Sequence, residues 1–229
     1  MKRIVQPELL DTLPPNDPRA VHSRRDLHRL NCWMRTHAVM ADALQKALNR
    51  HTPGQITELG AGDGHFLLRV AQKISPGWPD MNVMLLDRQN NVTPATLAAF
   101  ANLGWHAETV VADVFDWPQT SAAGGVVIAN LFLHHFEGLR LLELLQLISQ
   151  RAKLFIAIEP RRASWPLFCS RRLWAIRCNE VTRQDAVASV RAGFSGHELS
   201  AFWPDKQNWR LAEDRTGAFS HLFIARTIS

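Results

Sequence analysis

The chain has 229 residues, enough for one domain with a real core and too few for two clear ones. Hydrophobic residues make up 46% and charged residues 21%, as in a soluble globular protein, and no apolar run nears the roughly eighteen residues of a membrane span. The net charge of +5 is split between a basic cluster at 23–29 and another at 161–172, a pattern that argues against a nucleic-acid platform.

The N-terminus "MKRIVQPELLD" meets Pro7, Glu8 and Asp11 too early for a secretory signal, so a cytoplasmic protein is expected. Ser23 reads as a helix N-cap with Asp26 at N3. Leu27, Leu30, Met34, Ala38, Ala41, Leu44 and Leu48 follow at three- and four-residue spacing, giving one amphipathic helix or a bent pair ending near Asn49. From there strands and helices alternate: strand 55–59, helix 65–74, strand 82–86, helix 94–103, strand 107–112, strand 125–129, helix 139–152 and strand 154–158. After Pro160 a basic, aromatic segment runs to about Gly193. Strands at 209–213 and 219–225 then flank the turn "DRTG" and must pair antiparallel. This order predicts an α/β fold: a doubly wound, mostly parallel, seven-stranded Rossmann-like sheet with a C-terminal antiparallel hairpin and helices on both faces. Cys32, Cys169 and Cys178 match no metal motif, so reduced thiols and no metal site are expected.

The stretch "ELGAGDG", Glu58 to Gly64, joins the first strand to the next helix. In a doubly wound sheet ligands bind beyond the carboxyl ends of the strands, where strand order reverses. Glycine there lets a ligand approach the backbone closely. The spacing is G-x-G-x-G, not the G-x-G-x-x-G of dinucleotide enzymes. It resembles the first motif, E/D-x-G-x-G-x-G, of the class I S-adenosylmethionine-dependent methyltransferases. The companions are "LLDR", "VVADVF", "ANLFLHHF" and "IAIEP" at the ends of the next four strands, and they are similar to bacterial small-molecule and quinone-pathway methyltransferases.

The resemblance implies S-adenosylmethionine as cofactor, with S-adenosylhomocysteine as product. It places the cofactor against Glu58, Gly60, Ala61, Gly62 and Gly64. Asp87, followed by Arg88, ends a strand where a carboxylate accepts from ribose hydroxyls; a turn-capping aspartate is the plainer alternative. By the resemblance Asp113 accepts from the adenine amino group, Val114 flanks the ring, and Asn130 approaches the methionine end. The chain then divides into an N-terminal helical cap (1–50), a cofactor-binding core (51–160), a substrate-side helical insertion (161–200) and a closing hairpin (201–229).

An oxygen nucleophile gains from a base, and histidine suits the role. His134 and His135 follow the fourth strand. Either one acts as the base, or one caps the next helix while the other packs. Candidate substrate contacts are Trp33 and His37 on the N-terminal helix, with Arg161, Trp165, Asn179 and Arg183 in the insertion. Core packing, helix capping from Thr182 with Asp185 at N3, and solvation compete for these residues. "NLFL" in place of D/N-P-P-Y/F argues against amino groups of nucleobases or glutamine. The expectation is O-methylation of an aromatic or polyketide-like hydroxyl in secondary or quinone-type metabolism. The partner is a small molecule, with no nucleic acid and no membrane, and the oligomeric state is open. The alternatives are an RNA or protein methyltransferase and a non-catalytic cofactor-binding homologue.

Overall fold

The computed structural model describes residues 1–49, 51–117 and 125–228. In chain order its helices are α1 (Leu9–Thr12), α2 (Pro18–Met34), α3 (Thr36–Ala47), α4 (His65–Ile74), α5 (Pro94–Ala101), α6 (Gly138–Arg151), α7 (Ser164–Ser170), α8 (Glu180–Ala192) and α9 (Glu198–Phe202). The strands are β1 (Gln55–Leu59), β2 (Met81–Asp87), β3 (Trp105–Val111), β4 (Gly125–Asn130), β5 (Ala152–Pro160), β6 (Trp209–Thr216) and β7 (Ser220–Thr227). They form one seven-stranded sheet in the order β3-β2-β1-β4-β5-β7-β6. The first five pair in parallel, and β7 lies antiparallel to both β5 and β6. The expected sheet and its closing hairpin are both present.

Each central strand buries both faces. Ile56, Val83, Ile128 and Ile156 point to the layer of α3, α4 and α5, where Met40, Leu44, Leu67 and Phe100 complete the core. Their neighbours Met84, Val127 and Phe155 point to the opposite layer, against Leu141, Leu145 and Ile148 of α6 and Trp203 after α9. Burial on both faces is why these strands read as unbroken apolar runs. Strand order reverses between β1 and β4, so the glycine loop after β1 stands at the switch point.

The N-terminal helix differs from its expected form. It begins at Pro18, capped by Asp17, whose carboxylate accepts from the Arg19 amide. The bent-pair alternative holds: Arg35 takes a left-handed φ of 57° between α2 and α3. Ser23 and Asp26 are not a cap but lie buried inside α2. Asp26 Oδ2 accepts from the Asn179 amide at 2.8 Å and from Thr182 Oγ1 at 3.2 Å, and Thr182 Oγ1 also donates to Ser23 Oγ at 3.0 Å. A capping-like pattern therefore serves to dock the start of α8. The cap of α8 is Asn179, which accepts from the Thr182 amide, rather than Thr182 itself.

Candidate active site

A cavity of about 550 Å³ opens at the carboxyl ends of β1 to β4, within the range of small-ligand sites. Its floor is the sheet end: Glu58, Gly60, Ala61 and Gly62 after β1, Asp87 and Arg88 after β2, Asp113 and Val114 after β3, and Asn130 after β4. Gly64 lies behind the floor. There it starts α4 with a φ of 73°, and an added Cβ would meet Leu85 Cδ1 at 2.9 Å. At Gly60 an added Cβ would come within 2.3 Å of the Phe132 ring, so that ring can lie flush on the loop only over glycine.

Two buried floor oxygens, Glu58 Oε2 and Asn130 Oδ1, have no hydrogen-bond partner among the described residues. An unpaired buried polar atom costs about 1–3 kcal/mol. Burial, and then the nearby charges of Asp63 and Asp87, push the Glu58 carboxyl well above the usual carboxylate range. Both oxygens are open to a donor or cation brought to the floor. Asp87 turns one oxygen to the Gly62 amide at 2.9 Å and the other to the Gln89 amide at 2.9 Å, tying the ends of β1 and β2 together. Asp113 accepts from the Phe115 amide at 3.0 Å.

The roof is a strap made by the N-terminal residues, with Val5, Gln6, Pro7, Glu8, Leu10 and Asp11 bordering the cavity. Polar latches hold it. Arg3 donates to the carbonyls of Ala192 at 2.7 Å and Phe136 at 2.8 Å. Asp185 accepts from the amides of Leu9 at 2.8 Å and Leu10 at 3.0 Å. Glu8 bonds His134 Nε2 at 3.1 Å and also accepts from Ser189 Oγ.

The adjacent histidines have separate environments. His134 is buried, and its Nδ1 donates to Glu159 Oε2 at 2.8 Å while Nε2 faces Glu8. Burial alone would lower its pKa, but the hydrogen bonds to Glu159 and Glu8 outweigh this and raise it to about 9. Glu159 also accepts from the amides of Phe132 at 3.0 Å and Leu133 at 2.8 Å, so it organises the whole turn after β4. Leu131 enters that turn at a left-handed φ of 55°, a strained setting for a leucine. His135 borders the cavity with its side chain 24% exposed, and its Nδ1 lies 3.4 Å from Asp11 Oδ2. Burial, and then the charge of His134, lower its pKa, so it is neutral at pH 7.

Among the described residues, none of Trp33, His37, Arg161, Trp165, Asn179 and Arg183 borders the cavity. Trp33 and Trp165 face solvent, Asn179 caps α8, and Arg161 pairs through its backbone with Phe219. Ser189 of α8 is the residue of the 161–200 insertion that does border the cavity. The remaining wall comes from α2 and the start of α4. There His28 Nε2 meets Asp63 Oδ2 at 2.8 Å and stacks on His65 at a centroid distance of 4.1 Å. The sequence reading passed over Glu8, Asp11, His28, Asp63 and His65. Asp63 stood inside the glycine motif and Glu159 inside an apolar run. An acid in either place needs a partner, and that was the available signal.

No family model and no curated protein matches the chain. Solved structures do. The plantazolicin methyltransferase BpumL in complex with SAH is 12% identical, with 93% of this chain and 91% of that one covered at a TM-score of 0.65. A SAM-dependent methyltransferase from Aquifex aeolicus is 13% identical, covering 81% and 88% at 0.55. An O-methyltransferase family protein from Burkholderia thailandensis is 16% identical, covering 93% of this chain and 61% of that one at 0.55. The chain thus has the class I SAM-dependent methyltransferase fold.

Proposed function

We propose that the chain transfers the methyl group of S-adenosylmethionine to a small-molecule hydroxyl, with His135 as the base. The observation that carries the cofactor half is the pair of partnerless buried oxygens, Glu58 Oε2 and Asn130 Oδ1, on the floor of a cavity of matching size. They suit the cationic amino-acid end of the cofactor. Asp87 would accept from the ribose hydroxyls, and Asp113 from the adenine amino group beside Val114. The crystallised SAH complex of BpumL supports the same choice.

When bound, S-adenosylmethionine supplies a methyl group already activated on a sulfonium. The protein has to align the nucleophile, exclude water and take up a proton. The strap excludes water. The Asp11 carboxylate, 3.4 Å from Nδ1, favours the tautomer protonated there, leaving Nε2 to accept the proton of the substrate hydroxyl. His134 is a poor base because it is already held as a cation between two carboxylates. Its role is to pin Glu8, and with it the strap, over the site.

Calorimetry tests the cofactor half. S-adenosylhomocysteine should bind and NAD should not, and Asp87→Ala should weaken binding by about 1.5–3 kcal/mol, the worth of hydrogen bonds to a charged group. Tight NAD binding, or an Asp87→Ala protein that binds as wild type, would overturn it.

A further inference from the structure

The aromatic residues of the insertion that miss the cavity gather on the outside of the protein. Trp165 is 59% exposed, Phe168 46%, Trp174 63% and Ile176 43%. All four lie within α7 and the short turn of 3-10 helix that follows it, Leu173–Ile176. Side chains this exposed stand out from the surface, although Trp174 also borders a shallow recess. Such apolar concentration on a soluble domain marks a contact surface.

The charge around them is mostly positive, with Glu180 the acid beside Trp174. No acidic residue occurs between Glu159 and Glu180, while Arg171, Arg172 and Arg177 are all exposed there. Arg172 lies over the Phe168 ring at 3.5 Å, and Trp165 stacks on the same ring at 5.6 Å. The faces of Phe168 are thus occupied by its own chain, which disfavours stacking of nucleobases. Tryptophan with arginine on a short surface helix is the composition that settles at the headgroup level of a bilayer, rings inward and guanidinium groups among the phosphates.

We infer that α7 and the turn after it form a peripheral docking surface for an anionic lipid bilayer. No helix among the described residues is long and apolar enough to cross a membrane, so the contact is with its surface. The expectation of no membrane partner rested on the lack of a spanning run, and a surface contact of this kind needs none. The surface also adjoins the cavity. Gln6 of the strap borders both the cavity and a shallow recess lined by Trp174, Arg171 and Arg183. A docked bilayer would lie beside the strap. The inference does not depend on the methyl-transfer reading.

Vesicle sedimentation with the full chain tests it. The protein should sediment with phosphatidylcholine vesicles containing phosphatidylglycerol and stay in solution with phosphatidylcholine alone. Its tryptophan emission should shift to the blue on binding. Removing both Trp165 and Trp174 by alanine substitution should abolish that shift and most of the binding, while circular dichroism stays unchanged. Each of Arg171→Ala and Arg172→Ala should weaken partitioning by about fivefold. Failure to sediment with anionic vesicles at low salt would overturn the proposal. So would equal binding by the double tryptophan variant, or tryptophan-dependent binding of polyglutamate or tRNA in place of vesicles.

Discussion

The floor of the cavity and the strap above it treat polar groups in opposite ways. On the floor, Glu58 and Asn130 leave buried oxygens without partners. In the strap, Arg3, Glu8 and the amides of Leu9 and Leu10 all have partners within the chain. Unpaired oxygens on a cavity floor are open to a ligand, whereas the strap completes its own hydrogen bonding. Stability and binding should therefore separate between the two regions when each is altered. His135 sits where floor and strap meet, and replacing it should have the largest effect.

His135→Ala should lower kcat by about 10²–10⁴-fold, the contribution of a positioned base, while calorimetry finds cofactor-product affinity unchanged. The wild-type kcat should fall as pH drops below 6.5, because the ring must be neutral to accept a proton and its pKa lies under that ordinary value. A variant with normal turnover would leave catalysis to alignment alone.

Glu159→Ala should act on stability instead. It leaves the buried His134 cation without its nearer carboxylate and strands the amides of Phe132 and Leu133. Breaking a buried pair costs about 3–5 kcal/mol, readable by urea unfolding. The pH dependence follows from the shifts. His134 is raised from 6.5 to about 9, so its stabilisation is complete below 6.5 and is lost as pH rises through about 9. Glu8 is lowered from 4.5: burial opposes this, but the bond to His134 prevails, so its share is lost in acid. The Glu8–His134–Glu159 latch should be strongest between pH 4.5 and 6.5.

Glu58→Gln probes the floor alone. The Glu58 carboxyl is raised above 4.5, chiefly by burial, so the wild type loses stability as pH rises through its folded pKa. The glutamine variant should escape that loss and unfold no more easily than wild type at pH 7. Its affinity for S-adenosylhomocysteine should fall by about 1.5–3 kcal/mol. Reduced stability with unchanged affinity would reverse the contrast between floor and strap.

The same contrast explains what could be read from the sequence. The floor was legible because its parts are local: each strand ends in residues that line the cavity, and the glycine spacing records the turn. The strap was not, because Glu8 and His134 stand 126 positions apart, and nothing in "PELLD" names that partner. His134 and His135 looked equivalent, since their difference resides in Glu8 and Glu159. Trp33 and Trp165 are candidate contacts by composition, and composition does not tell on which side of a helix the core lies; both face solvent. Ser23 and Asp26 carried a capping pattern whose true use, docking α8, depends on residues more than 150 positions away.

The smallest effect expected is at Asp185, and it isolates the strap. Its two oxygens hold the Leu9 and Leu10 amides at the start of α1, a four-residue helix with no buried residue. Such a segment has little apolar burial to close it, so its hydrogen bonds set its opening energy. Asp185→Ala should make opening easier by about 1–2 kcal/mol, and hydrogen exchange at Leu9 and Leu10 should speed up by roughly 5–30-fold. Amides of β1 and β4 should exchange as before, because the floor rests on the two core layers and not on the strap. Exchange that rises equally in both regions would mean that they unfold together. The strap would then be part of the core rather than a separate cover.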